Sequence, residues 1–267
     1  MSAVLRPSGV RSVGSARADD SPGAAADTGY IECMSAGNVQ VPTPPEGLRP
    51  AQIGIVLVGR PVVGHAAVTL ADVAERGFLQ VTEIADGPAG DWRLERPPRQ
   101  SRPHGHAGLL PFEEALLDGL LPDGGESLLS GLTGQLASAL RQFAHGLVRD
   151  AVHHGWLRHL HHDQRTAEGE QLAVQIRSFR SGLRHLKASG GEDAIAGHLS
   201  YALVFGLASR DRLPHARFAA SWIRACSSLP GWRPAEVKRP RLDDPDFTRD
   251  EWRGMGLNGA IALAAGL

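Results

Sequence analysis

The order of elements in residues 48–96 constrains this chain more than any other feature. Leu48-Arg49-Pro50 opens a helix with Pro50 at its first position, where a missing N–H costs nothing. Ile53, Val56 and Leu57 follow at helical spacing, and Gly59-Arg60-Pro61 ends the run. A second helix begins near Gly64, turns Val68, Leu70, Val73 and Ala74 inward, and closes on Gly77 as a left-handed cap. Phe78 to Ile84 then alternates apolar and polar, the period of a strand with one buried face. Trp92-Arg93-Leu94 is its partner across the Asp86–Asp91 turn. Two strands alone are marginal, so they must pack on the helices.

Helices followed by a two-stranded wing outline a winged helix. Residues 97–108, rich in Pro, Gly and His, read as a linker. Pro111 then starts a helix whose buried face is Leu116, Leu117, Leu120 and Leu121, and Ser127–Ser130 is a short strand candidate. The longest clear helix runs from Thr133 to about His154, with Leu136, Leu140, Phe143, Leu147 and Val152 near one stripe. Its end, Val148–Leu157, can be laid on Leu70–Leu79: Asp, Gly, an aromatic and Leu recur at the same spacing. That match reads either as an internal repeat or as a common way of ending a helix. Thr166 caps a further helix carrying Leu172, Ile176, Phe179 and Leu183, Ala194–Leu207 is densely apolar, and Phe218, Trp222 and Ile223 mark another helix.

The expected organisation is a disordered segment over 1–45, winged-helix-like units over 46–98 and 109–165, a helical region over 166–226 and a loose tail over 227–267. The fold class is mainly α with small β wings (α+β). Residues 1–45 have no hydrophobic period and cannot offset the entropy of ordering a backbone. Met34 precedes the prolines, so residues 1–33 are expected to be absent from the natural product. Apolar content of 42% supports folded cores, and only 5% aromatics means Leu, Val and Ala build them. Cys33 and Cys226 lie far apart, which excludes a disulfide framework and fits a reducing cytosol. No apolar run reaches the roughly 20 residues of a spanning helix, and the N-terminus lacks a signal peptide's apolar region. The expected location is therefore cytoplasmic.

Laid end to end, several phrases resemble a known family. They are Pro44–Gly54, Thr69–Leu79, Asp91–Leu94, Leu110–Leu117, Phe179–Leu186 and Leu199–Leu207. Together they are similar to the cytosolic C-terminal region of YciQ-like bacterial predicted membrane proteins, over about residues 44–226. The family's membrane helices are missing here, and Ser200 stands where the family usually has Pro. The resemblance implies a tandem winged-helix-like and helical body freed from its membrane, and carries no biochemical activity with it.

No catalytic residue or cofactor site is expected. His153, His154, His159, His161 and His162 form a cluster, with His154, His159 and His161 the metal-ligand candidates. Their spacing fits no standard zinc pattern, and Gly155 interrupts any helical face. Gly59–Gly64 has the glycine spacing of a phosphate loop but His65-Ala66 where Lys and a hydroxyl are required. Glu113-Glu114 reads as a helix-start feature. For DNA binding, the helix His65–Arg76 would present Asp72 and Glu75 to phosphates, which is unfavourable. Residues 46–108 hold seven basic and seven acidic side chains, and 109–165 hold four and seven. Arg177, Arg180, Arg184 and Lys187 recur at three-to-four spacing as a modest basic stripe. The partner is therefore expected to be protein, another or a second copy, with nucleic acid bound through that stripe as the alternative.

Overall fold

The computed structural model describes residues 42–84, 91–98, 108–122, 125–158, 164–208 and 214–227. The expectations for the N-terminal segment to residue 41, most of the linker, the tail from 228, and His159, His161 and His162 lie outside them. The described residues all fall within one unit, Val39–Leu267.

The chain is mainly helical with one small sheet. Helices α1 (Pro50–Val58) and α2 (Val63–Glu75) come first, then strands β1 (Gln80–Glu83) and β2 (Trp92–Glu95). Helix α3 (Pro111–Leu120), strand β3 (Glu126–Leu128) and helix α4 (Thr133–His153) follow. Helices α5 (Ala167–Ala194), α6 (Leu199–Val204) and α7 (Pro214–Ser227) complete the described part.

The helix ends follow from local chemistry. Gln52 Oε1 accepts from the Arg49 amide at 2.8 Å at the start of α1, and Thr166 Oγ1 accepts from Gly169 N at 3.0 Å at the start of α5. At the end of α2, Gly77 at φ 79° lets Phe78 N reach Val73 O at 2.8 Å and Gly77 N reach Ala74 O at 3.0 Å. At the end of α4, Gly155 at φ 72° does the same, with Trp156 N to Ala151 O at 2.9 Å and Gly155 N to Val152 O at 3.0 Å. Both are Schellman caps that fold an aromatic inward, and Phe78 and Trp156 are each 6% exposed. Gly206 and Leu207 close α6 in the same way. The cap is thus a recurrent device of this chain and does not by itself mark a repeat.

The sheet joins segments that the sequence reading kept apart. It is antiparallel in the order β1-β2-β3. Gln80 faces Glu95 and Glu83 faces Trp92, while on the other edge of β2 Arg93 faces Leu128 and Glu95 faces Glu126. Asp91 locks this junction: Oδ1 accepts from the Trp92 and Ser130 amides, and Oδ2 from Ser130 Oγ at 2.8 Å. Residues 46–98 and 109–165 therefore share one sheet. They also share one core, a contiguous set of buried side chains running from Leu48 to Cys226.

Helices α3 and α4 meet most closely. A Cβ on Gly119 would stand 2.8 Å from that of Ala139, and one on Gly146 2.9 Å from that of Phe112. Those glycines let the backbones approach, and Phe112 and Phe143 pack edge to face at 5.8 Å between them. Val152, expected on the buried stripe of α4, is only half-buried, and Ala151 takes the inward place. Helix α7 seals the sheet with Phe218, 5.6 Å from Trp92, and with fully buried Trp222.

Candidate functional site

Helix α2 is a core helix. Besides its apolar residues it buries His65, Thr69, Asp72 and, just past its end, Arg76, at 5%, 2%, 6% and 8% exposure. These are four of the five polar positions that a groove-reading helix here would present. Only Glu75 keeps an exposed side chain. Helices α1, α6 and α7 pack against α2, so a duplex has no access to His65, Thr69, Asp72 or Arg76.

Arg76 is the hub of a buried charge cluster. Its Nη2 donates to Glu113 Oε1 at 2.7 Å, and its Nε lies 2.9 Å from Asp72 Oδ2, an ion pair whose angle falls short of a hydrogen bond. The guanidinium also sits over the Phe78 ring, 5.3 Å from its centre. Glu113 is 1% exposed, and its other oxygen accepts from Leu110 N at 2.9 Å. Glu113 thus caps α3 as expected and, beyond that expectation, ties α3 to α2. Burial pushes the Asp72 carboxyl above its usual range, with Arg76 working against it. The cluster is enclosed and internally paired, which makes it a clamp between helices.

Ser200 and Tyr201 extend the clamp to α6. Ser200 Oγ donates to Glu75 Oε2 at 2.8 Å, and Tyr201 Oη donates to Leu48 O at 2.8 Å. Ser200 is the second residue of α6, a position that also accommodates proline; serine adds a hydroxyl that proline lacks. Surrounding atoms push the Glu75 carboxyl up to about 7, an effect that solvent on its exposed side weakens. Burial pushes the Tyr201 phenol up to about 12.

His65 lines an apolar cleft with Gly54, Leu57, Val62, Val68 and Leu203. Its Nδ1 accepts from Val62 N at 3.3 Å, as a first-turn cap of α2. A Cβ on Gly54 would lie 2.5 Å from the ring, so glycine makes room for it. Full burial lowers the imidazole to about 3, which keeps it neutral. Cys226 is buried and its thiol is pushed up to about 12 by burial, the opposite of a reactive nucleophile.

The basic stripe on α5 does not form an open row. Arg180 is 2% exposed, and Lys187 donates to Leu207 O and pairs with Glu192 at 2.7 Å. Arg177 is half-buried, and Arg184 alone of the four is exposed. The recurrence at three to four residues placed these cations near one another without saying which way the core lay. Of the histidines, His153 and His154 are exposed at the end of α4. His154 stacks on Trp156 at 4.6 Å and lies 3.8 Å from Asp150. Among the described residues no group of three metal-ligating side chains comes together.

Two solvent faces remain uncommitted. On α5, Gln171, Val174, Gln175, Ser178 and Ser181 are exposed and uncharged, and Val174 at 61% is the most exposed large hydrophobic residue described. On α4, Gln135, Ser138, Arg141, Gln142, His145, Arg149 and His153 are exposed without a carboxylate among them. The sequence reading considered neither face. A helical projection of Thr133–His153 would have shown the second, because the apolar stripe already fixed which side is buried.

Comparison with protein-family models, with characterised proteins and with solved structures returned no match. Function therefore rests on the surfaces themselves.

Proposed function

We propose that the chain is a non-enzymatic cytosolic protein-interaction or regulatory module built from two merged winged-helix-like units, α1–α2–β1–β2 and α3–β3–α4. The β1–β2 pairing after α2 and the antiparallel bridge of Leu157 with Arg165 after α4 support that description. So does the resemblance to the cytosolic part of YciQ-like proteins.

The observation that carries the protein-binding reading is the α5 face. Charged side chains are depleted at the centre of protein interfaces, and an apolar side chain among neutral polar ones is the pattern favoured there. Val174 has Gln171, Gln175 and Ser178 beside it, while Glu170, one turn before it, is paired with Arg165. The partner is another protein or a second copy of this chain. The test is affinity capture from nuclease-treated native extract with wild type and Val174→Asp, alongside sedimentation of each alone. A partner or dimer retained by wild type and lost by Val174→Asp supports the reading. Equal capture and equal mass for both proteins refute it.

A second reading, a nucleic-acid-binding regulator, is favoured by the α4 face.

A further inference from the structure

We infer that the solvent face of α4 is a docking surface for duplex DNA. This rests on the nucleic-acid reading above and replaces the α5 stripe with α4 as the place of contact. The face runs from Gln135 to His153, about 27 Å of helix at 1.5 Å per residue. Its exposed side chains are Gln135, Ser138, Arg141, Gln142, His145, Arg149 and His153. The one carboxylate of the helix, Asp150, is half-buried and accepts from Gln52 Nε2 at 2.8 Å.

Neither Arg141 nor Arg149 enters an ion pair among the described residues. Two of the three carboxylates of neighbouring α3 pair away from this face, Glu113 with Arg76 and Asp118 with Arg96, and the third, Glu114, is half-buried. Residues 109–165 are acidic in total, but α4 itself exposes no carboxylate. The linear charge count conceals a helix face whose own exposed side chains are basic or neutral.

The same side chains distinguish DNA from a protein partner. A protein interface centres on an apolar or aromatic anchor, and here Val148 and Val152 are half-buried while every exposed side chain is polar. DNA interfaces are polar and positively charged. Arg, Gln and Ser are residues that donate to phosphates and base edges, and a helix fits the major groove of B-form DNA. Helix α4 also holds its place rigidly: Phe143 and Leu147 are fully buried against α3, so its outer face is presented on a fixed support.

The test is fluorescence anisotropy of a labelled 20-base-pair DNA duplex with the full chain at about 50 mM and 200 mM salt. Two arginine–phosphate contacts give a log–log slope of about −1.8, so affinity falls about 12-fold across that range. Arg141→Glu/Arg149→Glu is expected to lower affinity at least tenfold and flatten the salt dependence, with an unchanged thermal melt. Gln142→Glu, which keeps both arginines and adds a carboxylate mid-face, is expected to weaken binding independently. Binding that survives both variants but falls with Arg184→Glu overturns the α4 assignment and leaves the nucleic-acid reading standing. No binding by wild type at 50 mM overturns both. Equal competition by a polyglutamate peptide assigns the face to an acidic protein segment and also overturns the proposal.

Discussion

Replacing His65 with glutamine is expected to change how stability depends on pH more than it changes stability itself. In the folded chain His65 is enclosed and titrates near 3, against 6.5 when unfolded. Because the folded pKa is the lower one, the unfolded chain binds the proton first as pH falls. The stability of the neutral state is complete above about 6.5 and drains away toward 3. Between pH 7 and 4.5 this single group is expected to cost wild type about 2–3 kcal/mol. Glutamine at the same position can still accept from Val62 N through Oε1, and Gln is a favoured residue at that point of a capping box. It does not titrate. The raised carboxyls of Asp72 and Glu75 act with the opposite sign, gaining stability as pH falls. They are common to both proteins and cancel in the difference. The assay is urea unfolding of wild type and His65→Gln at pH 7 and pH 4.5. His65→Gln is expected to lie within about 1 kcal/mol of wild type at pH 7, the scale of one hydrogen bond. At pH 4.5 it is expected to overtake wild type. Parallel curves would show that His65 is reached by solvent and protonated in the fold, which refutes the burial argument.

Arg76→Ala leaves Asp72 and Glu113 buried without their cation and is expected to destabilise by about 3–5 kcal/mol in chemical unfolding; a loss below 1 kcal/mol would mean that the cluster is hydrated. Phe78→Ala and Trp156→Ala each remove a buried aromatic folded in by a Schellman cap, at an expected cost of about 3–5 kcal/mol, and wild-type melting of both would refute their burial. A fragment of residues 46–98 loses β3, α4 and α7 from its sheet and core, so its circular dichroism is expected to lack a cooperative melt. A cooperative melt would show that the first unit stands alone.

The local elements were legible in the sequence because each carried its own signal. Pro50 and Pro111 start helices, Thr166 caps one, and Gly77 and Gly155 end two. Helix α4 and the inward places of Leu172, Ile176, Phe179 and Leu183 on α5 followed from periodicity alone. The pairing of β3 with β2 was not legible, since Leu128 and Arg93 are brought together by Asp91 gripping Ser130 across the linker. The burial of α2 was hidden for a related reason. His65, Thr69, Asp72 and Arg76 are polar by type, and only their partners on α3 and the cover from α6 and α7 make them interior. Arg180 misled in the same way. Conversely, the α4 face was obscured by counting charge along the chain, when what matters is the side of the helix each charge occupies.

The central claim is that α2 is closed while α4 presents an accessible face. Single cysteines test it directly in a chain carrying Cys33→Ser, with Cys226 buried. Ser138→Cys is expected to react with a maleimide at the rate of a free thiol, and Thr69→Cys to stay unlabelled until the protein is unfolded. Adding duplex DNA is expected to slow labelling at Ser138→Cys alone. Rapid labelling of Thr69→Cys in the folded protein, or duplex protection there and not at Ser138→Cys, would contradict the account.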